Sequence, residues 1–208
     1  MIIIKVRKQF KASEIAQAVD IHIKELPNGF LTSLGSKPLT LIFNHAAASP
    51  YGILILAVDS KKEKIIGFIL GTVNTSKFYR EFFLKYFFSA LYYFVPRLLS
   101  VHKIKKAFET VCYPKKKETK TKQKCTGELL DLAVEKKFQG QGVATKLFQA
   151  FIKECTSLKL ECFDIPTTAT LQNAHRFYEK HGARLINKIN LHGEQQTYIY
   201  RYYIKNML

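Results

Sequence analysis

Two glycines set close together behind an apolar run are the residues of this chain best suited to hold a phosphate. The run is Leu129-Leu130-Asp131-Leu132-Ala133-Val134, and a charged turn, Glu135-Lys136-Lys137, carries it into Phe138-Gln139-Gly140-Gln141-Gly142-Val143-Ala144-Thr145. Beyond the turn, Val143, Leu147, Phe148, Phe151, Ile152 and Cys155 recur three and four apart, the stripe of a helix. The spacing predicts a strand, a glycine turn and a helix. The first amides of a helix have no partner inside it and sit at the positive end of its dipole. Such a corner offers donors to an anion, and Gly140 and Gly142 let the backbone approach it without a Cβ in the way.

The type of phosphate ligand can be narrowed from the same residues. A kinase-like loop requires Gly-Lys-Ser/Thr, but Gly142 is followed by Val143 and Ala144. A dinucleotide fingerprint requires a third small residue where Thr145 stands. Gln139-x-x-Gly142-x-Ala144 instead resembles the Gln/Arg-x-x-Gly-x-Gly/Ala loop of the GNAT superfamily of N-acetyltransferases. Downstream, Asn173-Ala174-His175-Arg176-Phe177-Tyr178-Glu179-Lys180-His181-Gly182-Ala183 resembles the second signature of that family, an Asn ahead of a Phe-Tyr-Glu-Lys-x-Gly-Phe/Ala run. The motifs stand in the right order with room for one helix and one strand between them. The resemblance covers Glu128 to Leu208 well and the N-terminal half in outline.

The resemblance implies an α+β, three-layer fold: a mixed, mostly antiparallel central sheet flanked by helices, as a single domain over residues 1–208. It implies acetyl-CoA as co-substrate, no metal, and transfer of acetyl to a primary amine by direct attack. The amides of Gln139, Gly140, Gln141, Gly142, Val143, Ala144 and Thr145 would hold the pyrophosphate. Leu132, Ala133 and Val134 would line the pantetheine arm, with Asn173 and Phe177 supporting it from the second helix. Tyr178 occupies the tyrosine position of the second signature, and a phenol suits proton donation to the departing sulfur. Glu128 falls on the strand where several relatives place a Glu or His base. Regular alternation puts Glu128, Leu130 and Leu132 on one face and Asp131 on the other, so only one of the two acids is expected to look into the cleft. Asp131 breaks an apolar strand and needs a partner or an edge. His175 and His181 are read as surface or helix-end residues, since their spacing on one helix is not that of a metal pair.

The remaining elements must position these groups. Met1-Ile2-Ile3-Ile4 reads as an opening strand without a signal-peptide layout. Ile15, Val19, Ile23 and Leu26 stripe a helix over 11–26, which Pro27-Asn28-Gly29 breaks. A second helix is expected over 37–48, then a hairpin of 53–58 and 64–73 around a polar turn. The coenzyme strand is expected over 126–134, a helix over 141–156, a strand over 160–165 and a helix over 171–181 with Gly182 as its left-handed cap. A closing hairpin would turn at His192-Gly193. Residues 76–112 read as an aromatic helical insertion. Its uncharged run, Tyr86 to Pro96, is too short to span a bilayer. It suits a helix packed on the fold or on a second subunit, leaving open a lid over the acceptor or a helix resting on a membrane surface. The Lys-rich stretch 114–124 reads as a solvated loop.

The net charge of +17 predicts attraction to anions. No aromatic residue interrupts the lysines and no recognition motif is present, which argues against nucleic acid as partner. Cys112, Cys125, Cys155 and Cys162 form no C-x-x-C pair, so neither a disulfide framework nor a zinc site is expected, and a cytoplasmic setting is the default. Leu26 to Gly35 resembles a segment of bacterial GNAT proteins tied to surface-glycan synthesis. That would imply an amino sugar or other small amine, including an anionic, nucleotide-linked one. A protein amine, a homodimer, peripheral membrane contact, and a non-catalytic acyl-CoA sensor or interaction module stay open.

Overall fold

The computed structural model describes residues 1–6, 8–27, 29–33, 35–94, 125–190 and 196–204. The elements are β1 Ile2–Val6, α1 Ala12–Glu25, α2 Phe30–Ser33, α3 Ser36–Ala48, β2 Gly52–Asp59, β3 Lys64–Thr72, α4 Thr75–Phe94, β4 Gly127–Val134, α5 Val143–Ser157, β5 Cys162–Thr168, α6 Gln172–Lys180, β6 Arg184–Asn190 and β7 Gln196–Tyr203. The seven strands form one sheet in the order β1-β2-β3-β4-β5-β7-β6. Every pairing is antiparallel except β4 with β5. The sheet is therefore mixed and mostly antiparallel, with helices on both faces. The short helix α2 has no apolar period to announce it. The Lys-rich stretch 114–124, the insertion beyond residue 94 and the His192-Gly193 turn lie outside the described residues.

Each face of the sheet buries its own core. On one, Ile15, Ala18, Val19 and Ile21 of α1 and Leu39, Ile42, Phe43 and Ala46 of α3 pack with Phe78 and Phe82 of α4 over Leu54, Leu56, Phe68 and Leu70. On the other, Val143, Leu147, Phe148, Phe151 and Cys155 of α5 pack with Tyr178 of α6 over Ile55, Ile69, Leu129 and Phe163. The two stripes read from the sequence are thus the sheet-facing sides of α1 and α5. Aromatic residues of α4 join the first core, while Leu84 stays 73% exposed on its outer side. α4 carries non-helical backbone at Tyr86 (φ −111°, ψ 21°).

Both ends of α1 are secured. Glu14 caps its start by accepting the amide of Lys11 at 2.9 Å, and its other oxygen pairs with Lys5 at 2.7 Å. Glu25, near its end, accepts the amide of Lys136 at 2.9 Å.

Cys125 and Cys162 are joined by a disulfide. This corrects the expectation from cysteine spacing. The two residues lie 37 apart in sequence, and only the parallel pairing of β4 with β5 brings them together. Cysteine usage therefore gives no support to a reducing compartment. Cys155 is a free, buried thiol that burial pushes well above its ordinary range. Among the described residues no helix is long and apolar enough to cross a membrane.

Candidate active site

β4 and β5 pair only at Gly127 with Phe163 and Glu128 with Asp164. Beyond that point the strands part, and each keeps only its outer neighbour, β3 for β4 and β7 for β5. The result is a wedge-shaped gap in the middle of the sheet. Pro166 lies in β5 within the unpaired stretch, where a residue without an N–H leaves no ladder bond to β4 broken.

The glycine corner closes the open end of β4. A turn of 3-10 helix, Lys136–Phe138, leads to Gly140 (φ +75°) and Gly142 (φ +76°), the second of which caps α5. Both adopt left-handed backbone that side chains rarely take, and a Cβ added at either would point into open space. The first bond back to the cap runs from the Lys146 amide to the Gly142 carbonyl at 3.1 Å. The amides of Val143, Ala144 and Thr145 are thus the unpaired donors of a helix start. The Gln139 side chain donates to the Val134 carbonyl at 2.9 Å and to Glu25 at 3.3 Å, folding the loop onto the end of β4. Gln141 donates its side-chain amide to the Lys137 carbonyl at 2.9 Å, tying the loop back onto the 3-10 turn. An open anion cradle at the end of a strand that has shed its neighbour fits a phosphate-bearing carrier with an extended arm.

Ala133 and Val134 are buried at the end of β4, and Leu132 is half-buried against the second core. Asn173 is exposed on the first turn of α6. Phe177 packs against Phe148 (ring centroids 5.6 Å apart) and His181 (4.3 Å). Tyr178, only 6% exposed, packs beside Phe148 and Tyr200. Among the described residues nothing hydrogen-bonds its hydroxyl. Burial, reinforced by the carboxylate of Asp131, pushes that phenol well above its ordinary range. It therefore stays protonated and can serve as a donor.

Asp131 is nonetheless on the other side of the sheet. The register of β3 against β4 jumps from Leu70–Asp131 to Gly71–Leu129, so Leu130 is an extra residue. This bulge breaks the regular alternation. Leu130 packs into the core of α1, α3 and α4, while Leu129 and Leu132 pack into the opposite one. Asp131 lies against His22 of α1, Nδ1 to Oδ2 3.8 Å. Burial raises the phenol of Tyr79 on α4, and Glu128 and Asp131 both add to the shift. The expectation that only one acid reaches the cleft is thus corrected. The bulge turns both Glu128 and Asp131 toward the α1–α4 face.

Glu128 is buried beside the paired end of the strands and already has a partner within the fold. Asp131 sits past the bulge, where β4 has left β5. Its Oδ2 is buried without a hydrogen bond, and burial holds its carboxyl above the usual carboxylate range, an effect that His22 opposes. His22 is the residue the sequence reading missed. It lies on the apolar stripe of α1, is 1% exposed, and neither ring nitrogen has a hydrogen-bond partner. A histidine on a helix's buried stripe and an acid inside an apolar strand were the two available signals. His175 is also buried rather than on the surface, its Nε2 3.2 Å from the Ala169 carbonyl.

A family model described as "Acetyltransferase (GNAT) family" matches residues 17–183. Among solved structures, NAA60 from Arabidopsis thaliana in complex with a bisubstrate analogue is similar, with 15% identity, 99% of each chain covered and a TM-score of 0.61. The ribosomal-protein-S18-alanine N-acetyltransferase of Escherichia coli shares 12% identity over 100% of this chain and 99% of its own, with a TM-score of 0.59. An aminoglycoside 6'-N-acetyltransferase complexed with coenzyme A shares 15% identity over 99% of each chain, with a TM-score of 0.60. At these identities the likeness is one of fold. No curated protein sequence matches the chain significantly.

Proposed function

This chain belongs to the GNAT acetyltransferase family, and we propose that it moves an acetyl group from acetyl-CoA to a primary amine by direct attack. The observation that carries this reading is the gap where β4 and β5 part, with the glycine cradle at its mouth, the protonated Tyr178 on one side and two acids on the other. Acetyl-CoA, when bound, supplies an acyl carbon activated as a thioester.

The chain supplies the rest. The amides of Gln139 to Thr145 would hold the pyrophosphate, and the unpaired edge of β4 from Leu132 to Val134 would align the pantetheine arm, supported by Asn173 and Phe177 from α6. Backbone amides on that edge would polarise the thioester carbonyl. A carboxylate on the α1–α4 face takes a proton from the acceptor ammonium, since only the neutral amine attacks. Glu128 and Asp131 are the two candidates. Tyr178 supplies the proton that the departing sulfur needs. Its raised phenol holds that proton too firmly to give it up outright, so the transfer is coupled to the return of a proton from the amine nitrogen.

The acceptor would enter from the side of α1, α3 and α4. Although the chain is strongly basic overall, the acids at the gap favour an amine that arrives as a cation. A small amine, an amino sugar included, fits this description.

The test is release of free thiol from acetyl-CoA in the presence of glucosamine, spermidine, an aminoglycoside and a peptide with a free N-terminus. Amine-dependent release with at least one of them is expected. Saturable binding of acetyl-CoA with no release on any amine would favour a non-catalytic acyl-CoA sensor instead.

A further inference from the structure

We propose that Asp131, positioned by His22, is the group that takes the proton from the acceptor amine, and that Glu128 is not. The inference rests on the acetyl-transfer reading above and assigns the base within it.

Three observations converge on Asp131. First, the bulge at Leu130 turns Asp131 onto the acceptor side at the level where β4 has left β5. Glu128 lies three residues earlier, where the strands are still paired, and its side chain is engaged within the fold. Second, Asp131 Oδ2 is a buried acceptor with no hydrogen bond, and the two ring nitrogens of His22 are buried without one either. Buried polar groups without partners are rare, and a reactive role is one of the few reasons to keep them. Third, the two unsatisfied groups face each other. His22 Nδ1 is 3.8 Å from Oδ2, too far for a hydrogen bond but one small side-chain movement from it. The His22 ring is fixed by stacking on Phe68 and by edge contact with Phe43, each with centroids 6.0 Å apart. Contacts of this kind commonly tighten only when substrate is in place.

The titratable groups around Asp131 are His22 from α1, Tyr79 from α4, Glu128 from its own strand and Tyr178 from α6. Tyr79 and Tyr178 are raised phenols and stay protonated, and at Asp131 itself burial raises the carboxyl while His22 opposes that effect. A carboxyl in this setting titrates nearer neutrality than an exposed one, which suits a base.

The protons balance as follows. The ammonium gives one proton to the Asp131 carboxylate and becomes the neutral amine. The C–N bond forms as the thioester C–S bond breaks. The sulfur leaves with the Tyr178 proton, and the second proton of the acylated nitrogen restores the phenol. Asp131 then returns its proton to solvent.

The test compares Asp131→Asn, Glu128→Gln and His22→Gln across pH, using acetyl-CoA and the fastest amine of the panel above. Asp131→Asn should lower kcat by about 100-fold or more and abolish the acidic limb of the pH–rate profile. Glu128→Gln should leave that limb in place. His22→Gln removes the influence that lowers the Asp131 carboxyl, so the limb should move to higher pH. In parallel, the Asp131 side-chain carboxyl is titrated by carbon NMR in the enzyme without ligands, assigned by its loss in Asp131→Asn. It should titrate above the usual value of about 3.9 and move further up in His22→Gln. Loss of the acidic limb in Glu128→Gln with its survival in Asp131→Asn overturns the assignment. So does an ordinary Asp131 titration that ignores His22. If no amine releases thiol, the acetyl-transfer reading fails by itself, and the NMR titration still decides whether the pair exists.

Discussion

Glu25 reaches from near the end of α1 to the loop ahead of the glycine corner, one carboxylate oxygen accepting the Lys136 amide at 2.9 Å and the other the Gln139 side chain at 3.3 Å. His22, one helical turn earlier on α1, faces Asp131. A single helix from the N-terminal half therefore contacts both the loop ahead of the glycine corner and the proposed base. Glu25→Ala should loosen the cradle and leave the chemistry alone. Because these bonds are exposed, the expected loss in acetyl-CoA affinity is only about two- to five-fold, read by calorimetry with kcat nearly unchanged.

The cradle depends more sharply on Gly142. At φ +76° a residue with a Cβ is strained by roughly 1–2 kcal/mol, even though the added atom meets nothing. Gly142→Val should therefore weaken acetyl-CoA binding by about 5- to 30-fold or shift the start of α5. A Kd equal to that of the native chain would show that the corner does not hold the carrier.

The disulfide between Cys125 and Cys162 sits where β4 first runs beside β5 and closes the narrow end of the gap. For a 37-residue separation the chain-entropy model gives a stabilisation of about 3–4 kcal/mol. The Cys125→Ser, Cys162→Ser double variant should thus melt roughly 6–16 °C lower. An unchanged Tm would mean that the closed end is held by the short β4–β5 ladder, Gly127 with Phe163 and Glu128 with Asp164, without help from the disulfide.

Asp131 also links pH to stability. Its folded carboxyl is raised, so its favourable contribution exists at low pH and is lost as pH rises through the folded value. At neutral pH the ionised group weakens the fold. Asp131→Asn should accordingly raise Tm there, by roughly 2–4 °C for each kcal/mol recovered, with the gain vanishing in acid. A lower Tm at neutral pH would mean that the charge is compensated in place.

Much of this was legible in the chain. The stripes Ile15–Val19 and Val143–Leu147–Phe151 located α1 and α5, because burial on one face imposes the helical period. The glycine corner and Gly182 (φ +91°) were legible because so few residues tolerate such backbone. What could not be read depends on pairing between distant strands. The bulge at Leu130 exists only in the register of β4 against β3, and it reversed the alternation that separated Glu128 from Asp131. The disulfide needed β5 beside β4 before Cys125 had a partner. His22 looked like any position on an apolar stripe until Asp131 was turned toward it.

The central claim is that the gap performs acyl transfer with Tyr178 as the proton donor. Tyr178→Phe, assayed for thiol release and titrated with acetyl-CoA in parallel, tests it most directly. The expected result is turnover reduced by about 100-fold with the Kd for acetyl-CoA unchanged. A Phe variant that turns over at the native rate would contradict the account.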